Sequence, residues 1–414
     1  MLIEGRIVTA GEKTRIHGGL YGVRLYDRER AFPGYTLFTP AYGYRGYLMD
    51  MNGLVVHSWP LTHSDQLELL PDGNLLTHND GAWLEELAPD GTVLWRWEGT
   101  PDLTVPNHHD FFRVNEDEYV LLASVREPVR PGVFPADHEP PHMHTDLVLR
   151  INRAGKELWR FNFGEHAETL CELARLPMPI PYARRLADGS FEPWGPADWA
   201  HTNSVEVLPA TELGEEDTRF RQGNILVSFR ALDTIAIIDP DLAEFVWAWG
   251  PGVLDGQHHP TMLENGNILL FDNGTYRGHS IVREIDPSTE KETWKYENGE
   301  KFFSPFRSGS QRLPNGNTFI CECDAGHFFE VTPEGVVVWD FYNPFITQQA
   351  TRHLGKRMHR ATRYDEASVL PLLSRREDQI GGEVHRDGTS VDSYIDLVHL
   401  YQSGPDPFPE SATR

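Results

Sequence analysis

The imidazoles of this chain recur in one kind of place. NHHDFF (107–112), DWAHTNSVEVL (198–208), GQHHPTM (256–262) and MHRATRY (358–364) each put histidine at the opening of a short alternating segment. His258 stands eight positions before Gly266, and His109 takes the matching place before the Glu116-Asp117-Glu118 turn. His201 opens the corresponding segment of a third unit and His359 that of a segment near the C-terminus. Asp65 and Ser308 hold the position in the two units that remain. A lone histidine is usually a surface or satisfied core residue, but four sharing one register argue for a site. Imidazole can act there as nucleophile, as proton carrier or as metal ligand. Asn203 and His259 adjoin these positions, and Trp194 and Trp199 beside His201 offer aromatic faces to an aromatic substrate.

Such residues meet only if the segments carrying them surround a common axis, and the internal repeat provides for that. LLPDGNLLTH, VNEDEYVLLA, QGNILVSF, MLENGNILLF and RLPNGNTFIC are strands entered through a tight turn. Each is followed by a strand ending in a polar turn, then by one centred on Trp95, Trp159, Trp247, Trp294 or Trp339. Hairpins in series with aromatics at fixed places are the signature of propeller blades. Five units are complete. The sixth is split, with outer strands in 35–60 and its inner strand in 358–364. The expected fold is therefore all-β, a six-bladed β-propeller closed by its own two ends, which leaves no open sheet edge. The expected layout is an extension over 1–34, the propeller over 35–364 and a peripheral segment and tail over 365–414. Two insertions near the channel mouth interrupt the rhythm. Residues 126–146 are Pro- and His-rich and read as irregular; 164–200 begin with a short helix.

Composition narrows the partners. A net charge of -25 opposes nucleic acid, whose phosphates require a basic face. No apolar run approaches the ~18 residues of a membrane span, so no membrane is expected. The first residues lack a continuous apolar core, which speaks against a secretory signal. The three cysteines, Cys171, Cys321 and Cys323, read as reduced thiols, and a cytoplasmic location is expected. Cys321 and Cys323 point to one face of a strand and read as core rather than as a metal pair. RHLGKR (352–357), with Arg360 and Arg363, is a basic stretch that could draw an anionic substrate to the channel. Oligomeric state is left open.

NHHDFF, DWAHTNSVEVL, ILVSFRALDTIAIID and GQHHPTMLENGNILLFDNG together resemble the arylsulfotransferase family, which takes its sulfuryl group from an aryl sulfate. The resemblance covers most of 35–364 and is strongest over 198–274. It implies a six-bladed propeller with its site in the channel, no cofactor and a small aromatic substrate. It further implies that His258 is transiently sulfated, that His201 and Arg230 bind and polarise the sulfuryl group, and that His109 completes the catalytic set. His259, Trp199, Asn203 and His359 are the expected substrate contacts. The residues alone leave a second chemistry open. His109, His201, His258 and His359 could hold iron, copper or zinc, with Asp110, Asp198 or Glu206 orienting the rings, in a lyase, hydrolase or oxidoreductase. A third reading is a propeller that only binds. Arg230 discriminates, because a cation turned into the channel suits an oxyanion and opposes a metal.

Overall fold

The computed structural model describes residues 21–379 apart from 42, 62–63, 65, 80, 130–131, 134–141, 346, 349–353 and most of 179–198, plus two short strand pairs within 2–20. Six antiparallel sheets follow one another around the molecule. Blade 1 runs from Leu67–Leu69 to Val93–Trp97, blade 2 from Phe111–Arg113 to Glu157–Asn162 and blade 3 from Thr202–Val207 to Glu244–Trp249. Blade 4 runs from His258–Met262 to Lys291–Glu297 and blade 5 from Gly309–Arg312 to Val337–Tyr342. Blade 6 is the split one: Met358–Tyr364 is its inner strand, paired with Tyr35–Pro40, then Arg45–Met49 and Val55–Pro60. The chain is a six-bladed propeller closed by both ends.

Two expectations need correction. The segment before residue 35 is more than an extension, because Gly22–Tyr26 adds a fifth strand to blade 5 with Val23 opposite Phe341. It covers the outer edge of that blade. Nor is 126–146 wholly irregular. The second strand of blade 2 continues through Pro128 and the third begins at His142, so the insertion lengthens a hairpin. Pro128 is tolerated as the last residue of its strand. The helix expected after residue 164 is present over Ala167–Ala174. All three cysteines are buried and free. Burial pushes the Cys323 thiol up to about 12, so it stays protonated within the apolar core it shares with Cys321.

The repeated tryptophan has a definite mechanical role. The indole N–H of Trp95, Trp294 and Trp339 donates to a carbonyl of the following blade: Arg153 (2.7 Å), Pro333 (2.7 Å) and Met51 (2.9 Å). On each of these rings lies an arginine of that following blade: Arg153, Arg312 and Arg363, at 5.5, 4.9 and 4.6 Å from the centroid. The same arginines bond Glu86, Glu284 and Glu330 of the preceding blade. Asn74, Asn267 and Asn317, from the Gly-Asn turns, donate to those glutamates at 2.8, 2.6 and 2.7 Å. A turn asparagine, a strand glutamate and a stacked arginine thus join blade to blade. This fixes the angular spacing of the inner strands.

Helix Glu366–Gln379 lies against the turn of blade 1, where a Cβ on Gly73 would fall 2.9 Å from the Leu372 backbone. Gly73 also has φ +84°, so both space and conformation call for glycine. Among the described residues no helix is long and apolar enough to cross a membrane.

Candidate functional site

Each inner strand ends in a turn closed by one backbone bond. Val114, Leu208, Leu263 and Leu313 N–H donate to the carbonyls of Glu118, Asn224, Asn267 and Asn317. Counting five residues back from each donor gives His109, Asn203, His258 and Ser308. His359 completes the set in blade 6, four residues before Arg363, which faces Thr36 as Met262 faces Ile268. All five line one cavity of about 360 Å³ on the propeller axis. The blade 1 counterpart, Asp65, lies outside the described residues. His201 also lines the cavity, but from two residues upstream. The register assigned to His201 belongs to Asn203, because the turn of this blade is expanded and the Leu208–Asn224 bond that closes it sets the count.

The backbone at this rim is strained. His109, His201, His259, Arg307 and Ser308 all have positive φ, from 46° to 77°, where side chains other than glycine are disfavoured. Five of the chain's nine such described residues therefore sit at inner-strand openings, at one end of the channel.

On one side the imidazoles crowd together. Ring centroids of His109 and His201 are 5.0 Å apart, and those of His108 and His109 are 4.1 Å apart. A ligand atom from each of His108, His109 and His201 lies within 4.8 Å of the other two. His108 Nδ1 is 3.0 Å from Asp146 Oδ1. Asp146 also accepts from the Ser124 hydroxyl and, at 2.8 Å, from Thr202 N–H. Burial pushes that carboxyl up, but His108 and these donors outweigh it and hold Asp146 at about 2. A fixed anion behind His108 aims its Nε2 forward. Burial, and then the neighbouring rings, hold His109 neutral, well below the ordinary imidazole range.

On the other side stand His258 and the arginines. Nδ1 of His258 faces two acceptors, Gly256 O at 3.0 Å and Asn273 Oδ1 at 2.8 Å, so it carries the proton. Nε2 keeps its lone pair and accepts from Arg307 N–H at 3.1 Å. Burial, and then the Arg230 guanidinium, push the His258 pKa well down. Arg230 lines the cavity, its N–H anchored on His201 O by the short turn after Ile225–Phe229. Arg307, Arg357 and Arg360 line it as well, with Phe306, and among the described residues no carboxylate does. Arg357 bonds Asp324, and Arg360 bonds Asp110 at 3.1 Å and Gln66 at 2.8 Å. The basic stretch read in the sequence thus delivers two of these cations.

Several expected contacts lie elsewhere. His259 turns between blades 4 and 5, its ring 2.7 Å from where a Gly309 Cβ would lie, and does not line the cavity. Trp199 packs into the apolar cluster of blades 2 and 3. Trp194 and Asp198 lie outside the described residues. Asp110 and Glu206 do not orient rings: Asp110 accepts from Val205 N–H at 3.0 Å and Glu206 from Met262 N–H at 2.7 Å. Both carboxylates stitch neighbouring blades. His327 sits away from the cavity between Glu322 (2.7 Å) and Asp340 (2.6 Å). Residues missed in the sequence are His108, Asp146 and Asn273. His108 adjoined a marked histidine in NHHDFF, whereas its pairing with Asp146 spans 38 positions and leaves no local signal.

Two family models, both described as "Arylsulfotransferase (ASST)", match residues 33–254 and 176–344. No curated protein matches the chain. Solved structures similar to it include a protein of unknown function from Bacteroides caccae, with 12% identity, TM-score 0.48, and 81% of this chain and 100% of that one covered. A streptogramin B lyase shows 9% identity and TM-score 0.44, covering 82% of this chain and 91% of its own. The virginiamycin B lyase from Staphylococcus aureus shows 10% identity and TM-score 0.42, covering 78% and 84%.

Proposed function

Because the chain belongs to the arylsulfotransferase family, we propose that it moves a sulfuryl group between small phenolic compounds through His258. The observation that carries this reading is a neutral His258, with its lone pair on Nε2, beside the Arg230 guanidinium in a cavity lined by cations and neutral rings. In the first half the Arg307 N–H gives up Nε2, Nε2 attacks sulfur, an N–S bond forms and the S–O bond to the aryl group breaks. The phenoxide leaves and takes a proton from the His201 imidazolium, His109 being held neutral. In the second half an acceptor phenol returns its proton to that ring and attacks sulfur, and the N–S bond breaks. Dividing one displacement into two lowers each barrier. Arg230 would bind the equatorial sulfuryl oxygens, where charge accumulates. Incubation with an aryl sulfate and no acceptor is expected to release phenol and leave a sulfuryl group on His258, read by peptide mass spectrometry. Absence of both products would refute the reading.

The crowding of His108, His109 and His201 supports a second reading more directly than it supports the first. Three imidazoles, one backed by a fixed carboxylate, are a donor set suited to zinc, copper or iron with open positions. The trio keeps His109 and His201 of the expected ligands and adds His108; His258 is engaged by Asn273, Gly256 and Arg307, and the His359 ring lies 6.3 Å from that of His109, outside the trio. A bound metal would supply Lewis acidity to a small organic substrate. Elemental analysis of protein purified without chelator separates the two chemistries. Stoichiometric metal whose removal abolishes turnover would establish the second, and metal-free protein that transfers sulfuryl would exclude it.

A further inference from the structure

We propose that Asn273 is a positioning residue that locks His258 and the turn carrying Arg307 into one unit; this rests on the transfer reading. Asn273 follows the second strand of blade 4, Ile268–Asp272, and is fully buried. Its Oδ1 accepts from His258 Nδ1 at 2.8 Å. Its amide nitrogen donates to Ser304 O at 2.8 Å and Arg307 O at 2.9 Å. Arg307 N–H in turn reaches His258 Nε2 at 3.1 Å, which closes a loop of hydrogen bonds. Oxygen toward an N–H and nitrogen toward two carbonyls is the one amide orientation that satisfies every partner.

An amide at this place differs in kind from a carboxylate. When Nε2 bonds sulfur the ring becomes cationic, and Nδ1–H becomes a stronger donor. A neutral acceptor supports that state without trapping it, whereas an anion would stabilise it and slow the second half. The Gly256 carbonyl also accepts from Nδ1, at 3.0 Å, but it holds neither the turn nor Arg307.

Two variants test this. Asn273→Ala is expected to lower kcat about 10- to 100-fold with little change in KM. In protein labelled with ¹⁵N histidine, the His258 nitrogens should shift from a pure Nδ1–H signature toward a mixture of tautomers. Asn273→Asp keeps the acceptor for Nδ1 but loses both donors to Ser304 O and Arg307 O, so it should keep the signature while giving a burst of phenol followed by slowed turnover and a lower melting temperature. A purely structural role would lower the melting temperature of both variants and leave ring signature and burst unmoved. An Asn273→Ala protein with wild-type kcat and wild-type ring signals overturns the proposal. If wild-type protein transfers no sulfuryl group, the transfer reading falls, and the tautomer comparison still decides whether Asn273 positions the ring.

Discussion

His258→Ala is expected to lower release of phenol from an aryl sulfate by about four orders of magnitude or more, because the variant has no group to accept sulfur. Other cavity histidines do not replace it. His109 and His201 crowd together with ring centroids 5.0 Å apart, whereas His258 combines a defined Nε2 lone pair with a guanidinium that lowers its pKa. The folding cost is modest, about 1–3 kcal/mol for the hydrogen bonds lost to Asn273, Gly256 and Arg307. Circular dichroism and a melting curve separate that from the kinetic effect. The pH profile adds an independent check. A nucleophile is competent when unprotonated, and burial with Arg230 depresses the pKa of this one. The acid limb of kcat/KM should therefore fall well below the ordinary imidazole pKa near 6.5. Comparison with His201→Ala divides the two chemistries. In the metal reading His201→Ala strips the ion and His258→Ala leaves metal content unchanged. Wild-type turnover by His258→Ala would remove the transferase mechanism outright.

How far the sequence reaches is clearest at the inner strands. His109, His258 and His359 could be placed around one axis because blade registers repeat, and counting from a turn is counting along a strand. His201 was placed in the cavity for a reason that proved incomplete: the expanded turn of its blade breaks the count, and the Leu208–Asn224 bond gives the equivalent position to Asn203. Which backbone bond closes an expanded turn depends on the fold and leaves no mark in residue types. His259 illustrates a second limit. Adjacent strand residues point to opposite faces, and the neighbour of a channel residue turns into the seam between blades. Asp146 illustrates a third. It lies in MHTDLVLR, beyond a proline-rich stretch that masked its strand, and only the folded hairpin brings it to His108. Residues that hold other residues are harder to read than those that meet substrate, since their partners are distant and their types ordinary.

The propeller itself was legible because its repeat is built into every seam, and that architecture carries a stability prediction of comparable size. Glu330→Ala is expected to destabilise the protein by about 3–5 kcal/mol, since it leaves the Arg363 guanidinium buried without its anion. Both side chains are 0% exposed. Glu330 also accepts from Asn317 at 2.7 Å and from Phe32 N–H at 2.7 Å, so it ties blade 5 to the chain entering blade 6. On its own side of the seam Arg363 donates to Thr36 Oγ1 of blade 6 at 2.9 Å and to Phe32 O, in the chain entering that blade, at 3.1 Å. This is where the two ends of the polypeptide close the ring. Burial pulls the Arg363 pKa down to about 10 even against the attraction of Glu330, a measure of how costly its charge is at this place. The related pair between blades 4 and 5, Arg312 with Glu284, keeps side-chain exposures of 22% and 9%. Water can solvate a widowed Arg312, so Glu284→Ala should cost about 1 kcal/mol. Urea midpoints for the two alanine variants provide the comparison. The double variant Glu330→Leu with Arg363→Met should recover most of the loss, because two apolar groups of similar volume need no ion partner. Equal midpoints for Glu330→Ala and Glu284→Ala would show that ring closure does not depend on this buried pair.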